Sequence, residues 1–195
     1  HELFFVVAGD VNSADGTQAY LNKIQNETKV KIEYIHPSNL NFALEFKNSV
    51  SHIPTKSFAQ RNYADLFAYK HGAGVIIRID DDNFPFDVTM FVDKHVERLM
   101  FKDKTDVIYS SSGWFNCCDM LAEKNNIGFY PRGFPLTPRH KEEKITVDEA
   151  SGVKIGVNAG LWLGDPDIDA HQRLAHPIDA LKFSTKYSED LVLAN

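Results

Sequence analysis

A short apolar, β-branched run, Val75-Ile76-Ile77-Arg78-Ile79, leads directly into three consecutive aspartates, Asp80, Asp81 and Asp82. No other feature restricts the possible folds as much. Such a run is the signature of a strand buried inside a sheet. Carboxylates at its carboxyl end then lie where open α/β sheets bind their ligands. The residues before the run complete a unit. Ser57 stands as a helix N-cap after Pro54-Thr55-Lys56. Phe58, Tyr63, Leu66, Phe67 and Tyr69 or Lys70 follow helical spacing, and Gly72 sits where the helix should stop. The expected order is helix, turn, buried strand, acidic loop.

The same alternation extends along the chain. Leu3 to Ala8 is an unbroken apolar run ending at Gly9-Asp10, expected as a strand buried on both faces. Residues 17–26 read as a helix, and residues 29–35 as a strand alternating through Val30, Ile32 and Tyr34. Residues 36–41 read as loop and 43–50 as a short helix or irregular stretch. Residues 88–101 read as an amphipathic helix and 106–109 as a strand. A segment rich in Gly, Pro and aromatics follows at 124–138, then a strongly charged stretch at 140–149, expected as a solvated loop. Residues 153–163 carry a strand pattern, 165–170 an acidic loop, and 179–182 a helix-like stretch. This predicts an α/β fold with a mostly parallel central sheet flanked by helices. At 195 residues the expectation is one domain.

Charge and composition exclude several functions. The net charge is −6 with no long basic stretch, which argues against nucleic-acid binding by clustered Lys and Arg. A small phosphorylated ligand stays compatible, because a metal ion and one or two arginines neutralise it locally. No apolar run reaches the roughly 20 residues of a membrane span. The apolar start is too short for a signal peptide and lacks a basic flank. The chain starts with His1 rather than Met, so an earlier start is the expectation. Cys117 and Cys118 are adjacent and lack zinc-site spacing. They read as reduced thiols, which weakly favours a reducing compartment; the residues do not fix a location, with a cytoplasmic or Golgi-associated one favoured.

Three packed carboxylates repel one another, and a cation is their natural compensator. Mg²⁺ and Mn²⁺ prefer oxygen ligands and complete their shells with substrate phosphates. Asp80 and Asp82, alternate residues of an extended loop, address one cation together. A solvated acidic turn is the alternative. Arg61 has the planar fork that suits a diphosphate, and equally reads as a surface arginine, whereas Lys56 reads as solvated.

Three separated motifs resemble the reversibly glycosylated polypeptides, the family that includes UDP-arabinopyranose mutases. The first runs from Lys56-Ser57 and Arg61-Asn62-Tyr63 to Ile79-Asp80-Asp81-Asp82-Asn83-Phe84-Pro85. The second is Arg132-Gly133-Phe134-Pro135-Leu136-Thr137-Pro138-Arg139. The third is Gly160-Leu161-Trp162-Leu163-Gly164-Asp165-Pro166-Asp167-Ile168-Asp169-Ala170. The resemblance implies a GT-A-like fold, a UDP-sugar donor, and Mn²⁺ or Mg²⁺ at the acidic motif. It implies that Asp80 and Asp81 face the nucleotide sugar and that Asp80 and Asp82 hold the metal. Ala8, Gly9 and Asp10, at the end of the first strand, are expected beside the uridine. Arg132 matches the family's reversibly glycosylated arginine, and Arg139 a second functional arginine. Asp167 is the carboxylate of the third motif expected to act with them. Without the family, Arg132 is an arginine in a Gly/Pro/aromatic loop, and Asp165, Asp167 and Asp169 read as turn and capping residues. The family's Arg-Gly-Tyr-Pro is Arg-Gly-Phe-Pro here, and family members continue well beyond Asn195, so a chain truncated at its C-terminus is the expectation.

The leading expectation is therefore a metal-dependent transferase that moves a glycosyl group from a UDP-sugar to a glycan or protein acceptor. A UDP-sugar mutase that glycosylates itself reversibly, a metal-dependent phosphohydrolase, and a non-catalytic nucleotide-sugar-binding subunit are the alternatives. Homo- or hetero-oligomers fit all four.

Overall fold

Apolar side chains spaced along residues 4–8 and 31–35 give two strands one face each to bury, and they do so by pairing in parallel. In the computed structural model, which describes residues 2–54, 56–80, 82–85, 87–99, 102–161, 163–184 and 192–193, β1 (Phe4–Ala8) lies beside β2 (Lys31–Ile35). Phe4 is opposite Lys31 and Ala8 opposite Ile35. A parallel pair requires a crossover, and α1 (Thr17–Thr28) supplies it. A 3-10 turn (Asn41–Phe46), α2 (Lys47–Val50), a second 3-10 turn (Phe58–Arg61) and α3 (Asn62–Lys70) follow. Ser57 caps as expected, its Oγ accepting from Ala59 N–H at 3.2 Å. Gly72 ends α3 in a Schellman arrangement, with Ala73 N–H bonded to Ala68 O and Gly72 N–H to Tyr69 O, both 3.0 Å. Ile35, Tyr63 and Phe67 form the buried centre, packed by Phe4, Val6, Leu40, Val50 and Ile53. These elements belong to the first of two compact units, His1–Asn83; the second is Phe84–Asn195.

Two expectations for the first unit need correction. Phe5 is half exposed, so β1 is not buried on both faces. Residues 75–80 have no strand pairing, and Val75, Ile76 and Ile79 are exposed. Apolarity alone does not make a buried strand, because its backbone groups need a ladder partner. This segment is held by a side chain instead. Arg78 donates from Nε to Asp65 Oδ1 at 3.0 Å and from Nη2 to Asn62 Oδ1 at 3.1 Å, both on α3.

The second unit begins with α4 (Phe91–Leu99), inside the expected amphipathic stretch, and β3 (Lys102–Ser110). A 3-10 turn (Cys117–Met120), β4 (Leu121–Glu123), α5 (Leu136–Arg139), β5 (Ile145–Val153), α6 (Ala170–Ala175), β6 (Ala180–Phe183) and β7 (Val192–Leu193) complete it. β3 is central in a sheet of order β5-β3-β7, antiparallel to β5 and parallel to β7. β4 and β6 form a separate antiparallel pair. Three expectations fail here. Residues 145–149 are strand rather than solvated loop, because β5 lies along β3 and leaves its charged side chains outside. Residues 180–182 are strand rather than helix, because they pair with β4. Beyond Val153, the 153–163 segment has no strand among the described residues.

The architecture is thus mixed α/β with small sheets, mostly antiparallel. The expected mostly parallel central sheet is not formed by the described residues: parallel pairing is confined to β1–β2 and β3–β7. No helix among the described residues is long and apolar enough to cross a membrane.

Candidate functional site

The first unit gathers its candidate residues at the carboxyl end of β1. Ala8 closes the strand, and Gly9 N–H continues the ladder to Ile35 O at 2.7 Å. A Cβ on Gly9 would overlap the hydroxyl end of the Tyr34 ring, so a larger residue there would have to displace that ring. Asp10 turns the chain, its Oδ1 accepting from Val11 N–H at 2.5 Å while its own N–H donates to Ser13 Oγ at 2.8 Å. The turn-capping role thus accompanies any ligand role for Asp10.

Gln60, which sequence reasoning missed, ties this corner to the segment before the 3-10 turn Phe58–Arg61. It is buried, and with its amide oriented to satisfy both neighbours it donates to Asp10 Oδ1 at 3.1 Å and accepts from Lys56 N–H at 2.6 Å. The signal was available: Gln60 precedes Tyr63 and Phe67 at helical spacing, so it is a polar residue on the apolar face. The next residue, Arg61, reaches from the same 3-10 turn to Asp80 Oδ1 at 3.5 Å. Two consecutive residues thus contact the end of β1 and the start of the acidic loop: Gln60 reaches Asp10, and Arg61 reaches Asp80. Lys56 is exposed, as expected.

The acidic loop closes on itself through Asn83 N–H to Asp80 O at 3.1 Å, and Asp82 Oδ1 accepts from Asn83 Nδ2 at 2.7 Å. Both Asp80 and Asp82 are exposed; Asp81 lies outside the described residues. Among the described residues no group of three His, Cys, Asp or Glu gathers around a metal position. Two carboxylates with free oxygens fit a hard cation that keeps most of its shell for water and substrate oxygens. They do not make a closed protein cage.

The second unit brings Arg132, Arg139 and Asp167 together. Gly133, with φ +81°, occupies the third position of a turn closed by Phe134 N–H to Pro131 O at 3.1 Å. That conformation suits glycine, and it leaves Arg132 exposed at the turn's corner. The second and third motifs then run side by side. Arg132 N–H donates to Asp167 O at 3.1 Å, Asp169 N–H donates to Tyr130 O at 2.9 Å, and Pro131 bridges Ile168. The alternate aspartates each meet an arginine: Asp165 with Arg173, Asp167 with Arg132, and Asp169 with Arg139 at 3.0 Å. Arg173 was not among the expected residues; it lies one turn into α6.

The Arg139–Asp169 pair is the most enclosed, with side chains 11% and 14% exposed. Arg139 also donates to Phe134 O at 2.8 Å and lies 4.7 Å from the centre of the Tyr130 ring. Its hydrogen bond holds the Asp169 carboxyl below the usual range. Asp169 additionally caps α6, accepting from His171 and Gln172 N–H at 3.1 and 3.3 Å. The capping alternative thus describes Asp169, with a buried arginine added. Trp162 lies outside the described residues.

Nearby, Glu143 gathers three successive serines, accepting from Ser110 Oγ at 2.6 Å and from Ser111 Oγ and Ser112 N–H at 2.9 Å. These bonds, Ser110's first, lower its pKa to about 2. Glu143 fastens the turn after β3 to the segment before β5. A scan against protein-family models finds no match for the chain, and a search of curated proteins finds none either.

Proposed function

We propose that this chain is a GT-A-like, metal-dependent enzyme that transfers a glycosyl group from a UDP-sugar. The observation that carries the reading is that consecutive residues, Gln60 and Arg61, contact Asp10 at the end of β1 and Asp80 of the acidic loop. Parallel strands offer ligands the space beyond their carboxyl ends, and the chain leaves β1 there through Gly9 and Asp10, with Asp10 in contact with Gln60. Asp10 accepts a hydrogen bond from uridine. Arg61 swings from Asp80 to the diphosphate. Asp80 and Asp82 would hold Mn²⁺ or Mg²⁺, which when bound would neutralise the leaving diphosphate.

In the second unit, taken by itself, Arg132 and Asp167 form a charged pair. Within that unit the exposed Arg132 guanidinium offers positive charge to an anionic group, a role that does not require it to accept the sugar. Arg139, held by Asp169 and Tyr130, positions the Arg132 turn through Phe134 O.

Sugar release from a panel of UDP-sugars, with Mn²⁺ and with chelator, tests the reading. Release is expected to need the metal and to collapse in Asp82→Ala, whose thermal unfolding stays that of the parent. Metal-independent UDP affinity, measured by calorimetry, would remove the metal from the proposal.

A further inference from the structure

The turn after β3 carries a tryptophan that is 49% exposed, Trp114, and the chain holds it in place from several sides. Its carbonyl accepts from Ser110 Oγ at 2.6 Å, and its N–H donates to Ser112 Oγ at 3.2 Å. Glu143 in turn holds both serines, accepting from Ser110 Oγ at 2.6 Å and from Ser112 N–H at 2.9 Å. The Trp114 and Phe134 rings pack edge to face, with centres 6.2 Å apart and planes at 70°. A single apolar residue on a surface needs no explanation. This one is fixed by its backbone and lines a cavity.

The cavity has a volume of about 300 Å³ and is lined by Ser112, Trp114, Pro135, Thr137, Pro138 and Lys141, all in the second unit. That is the small end of the range for ligand pockets, which are mostly apolar with a few polar groups. Pro135 precedes α5, Thr137 and Pro138 belong to it, and Lys141 N–H is bonded to Pro138 O at 3.2 Å. The indole and the two prolines make the lining apolar. Thr137 and Lys141 are exposed, and among the described residues neither Thr137 Oγ1 nor Lys141 Nζ has a partner. The cavity thus combines a fixed aromatic side chain, a hydroxyl and one unpaired cation.

We propose that this cavity binds a single sugar ring bearing a carboxylate, of the hexuronic acid class, as the acceptor end of a glycan. A pyranose presents C–H groups on its faces and hydroxyls around its edge. The C–H face packs against Trp114 and the prolines, Thr137 meets a ring hydroxyl, and Lys141 pairs with the carboxylate. Charge favours an acidic sugar over a neutral one, because Lys141 is the cation of the lining and has no carboxylate partner among the described residues. Size favours one ring. Proline-rich peptides also dock in aromatic-lined grooves, but they advance about 3.1 Å per residue and need a longer trough. The proposal deepens the transferase reading, on which the choice of a saccharide rests.

Saturation-transfer NMR and tryptophan fluorescence test it, with methyl glucuronide, methyl glucoside and a proline-rich peptide as probes. Neither UDP nor metal is present, so failure here leaves sugar release from UDP-sugars standing, and failure of release leaves this titration standing. Wild type is expected to bind the glucuronide saturably and more tightly than the glucoside. An exposed ion pair gives roughly a 1.5- to 5-fold preference, which should shrink with added salt and vanish in Lys141→Gln. Trp114→Ala should lose both sugars, while the exposed Lys141 gives its test without touching the fold. Equal binding of the two sugars by wild type, or a preference that persists in Lys141→Gln, would overturn the carboxylate assignment. Full binding in Trp114→Ala, no saturable binding of either sugar, or capture of the peptide in their place would overturn the site.

Discussion

Replacing Arg61 with Ala removes three contacts of modest size. The guanidinium meets Asp80 at 3.5 Å with the two side chains 44% and 66% exposed. Solvent screens such a pair, so it contributes about 0.2–1 kcal/mol. The guanidinium also lies 5.7 Å from the centre of the exposed Phe58 ring. At an exposed site that interaction is worth about 0.5–1 kcal/mol. The bond from Nε to Phe58 O, 3.2 Å, is internal to one 3-10 turn. The expected loss of stability is on the order of 1 kcal/mol, a small shift in the urea midpoint with an unchanged slope. The same guanidinium against a diphosphate makes a charge-assisted contact worth about 1.5–3 kcal/mol. That corresponds to about tenfold or more in affinity. Calorimetry with Mn²⁺ should therefore show UDP-sugar binding weakened at least that much, with uridine binding nearly unchanged. Equal losses for both ligands, or a destabilisation of several kcal/mol, would refute the reasoning and make Arg61 a structural residue.

Arg132→Ala should slow sugar release while wild type incubated with radiolabelled UDP-sugar carries no covalent label; label removable by excess UDP and absent from the variant would restore Arg132 as the sugar acceptor. Ile168→Ala empties a site in the core beneath the arginine-paired loop and should cost about 2–5 kcal/mol by urea titration, with Ile168→Leu losing under about 1.5 kcal/mol; a small effect for both would mean that the core does not anchor the loop. Glu143 has a folded pKa lowered from 4.5 to about 2 by its serine hydrogen bonds. Its stabilisation is complete above about pH 4.5 and is lost as pH falls toward 2, so Glu143→Gln should flatten that acid limb of a thermal-midpoint profile, and an unchanged limb would count against the network.

Local chemistry was legible in the residues themselves. The Ser57 cap, the Gly72 stop, α1, β1 and β2 follow from side-chain shape, backbone freedom and spacing, all properties of a few neighbouring residues. The same holds for the corner at Gly9-Asp10 and for the exposed carboxylates of Asp80 and Asp82. What pairs with what is a different quantity. Val75–Ile79 has the composition of a buried strand and remains unpaired, whereas the charged residues of β5 become strand because β3 offers them an edge. Hydrogen-bond ladders join residues distant in sequence, so the edge a segment meets is a property of the folded chain. The partners of the arginines are of this kind. Arg132 and Arg139 stood out by motif, but only the bridge between Pro131 and Ile168 brings them to Asp167 and Asp169. Gln60 shows the same division at one position: its place on an apolar helical face was readable, while its partner, Asp10, lies on a turn 50 residues earlier and meets it only because α3 packs against β1.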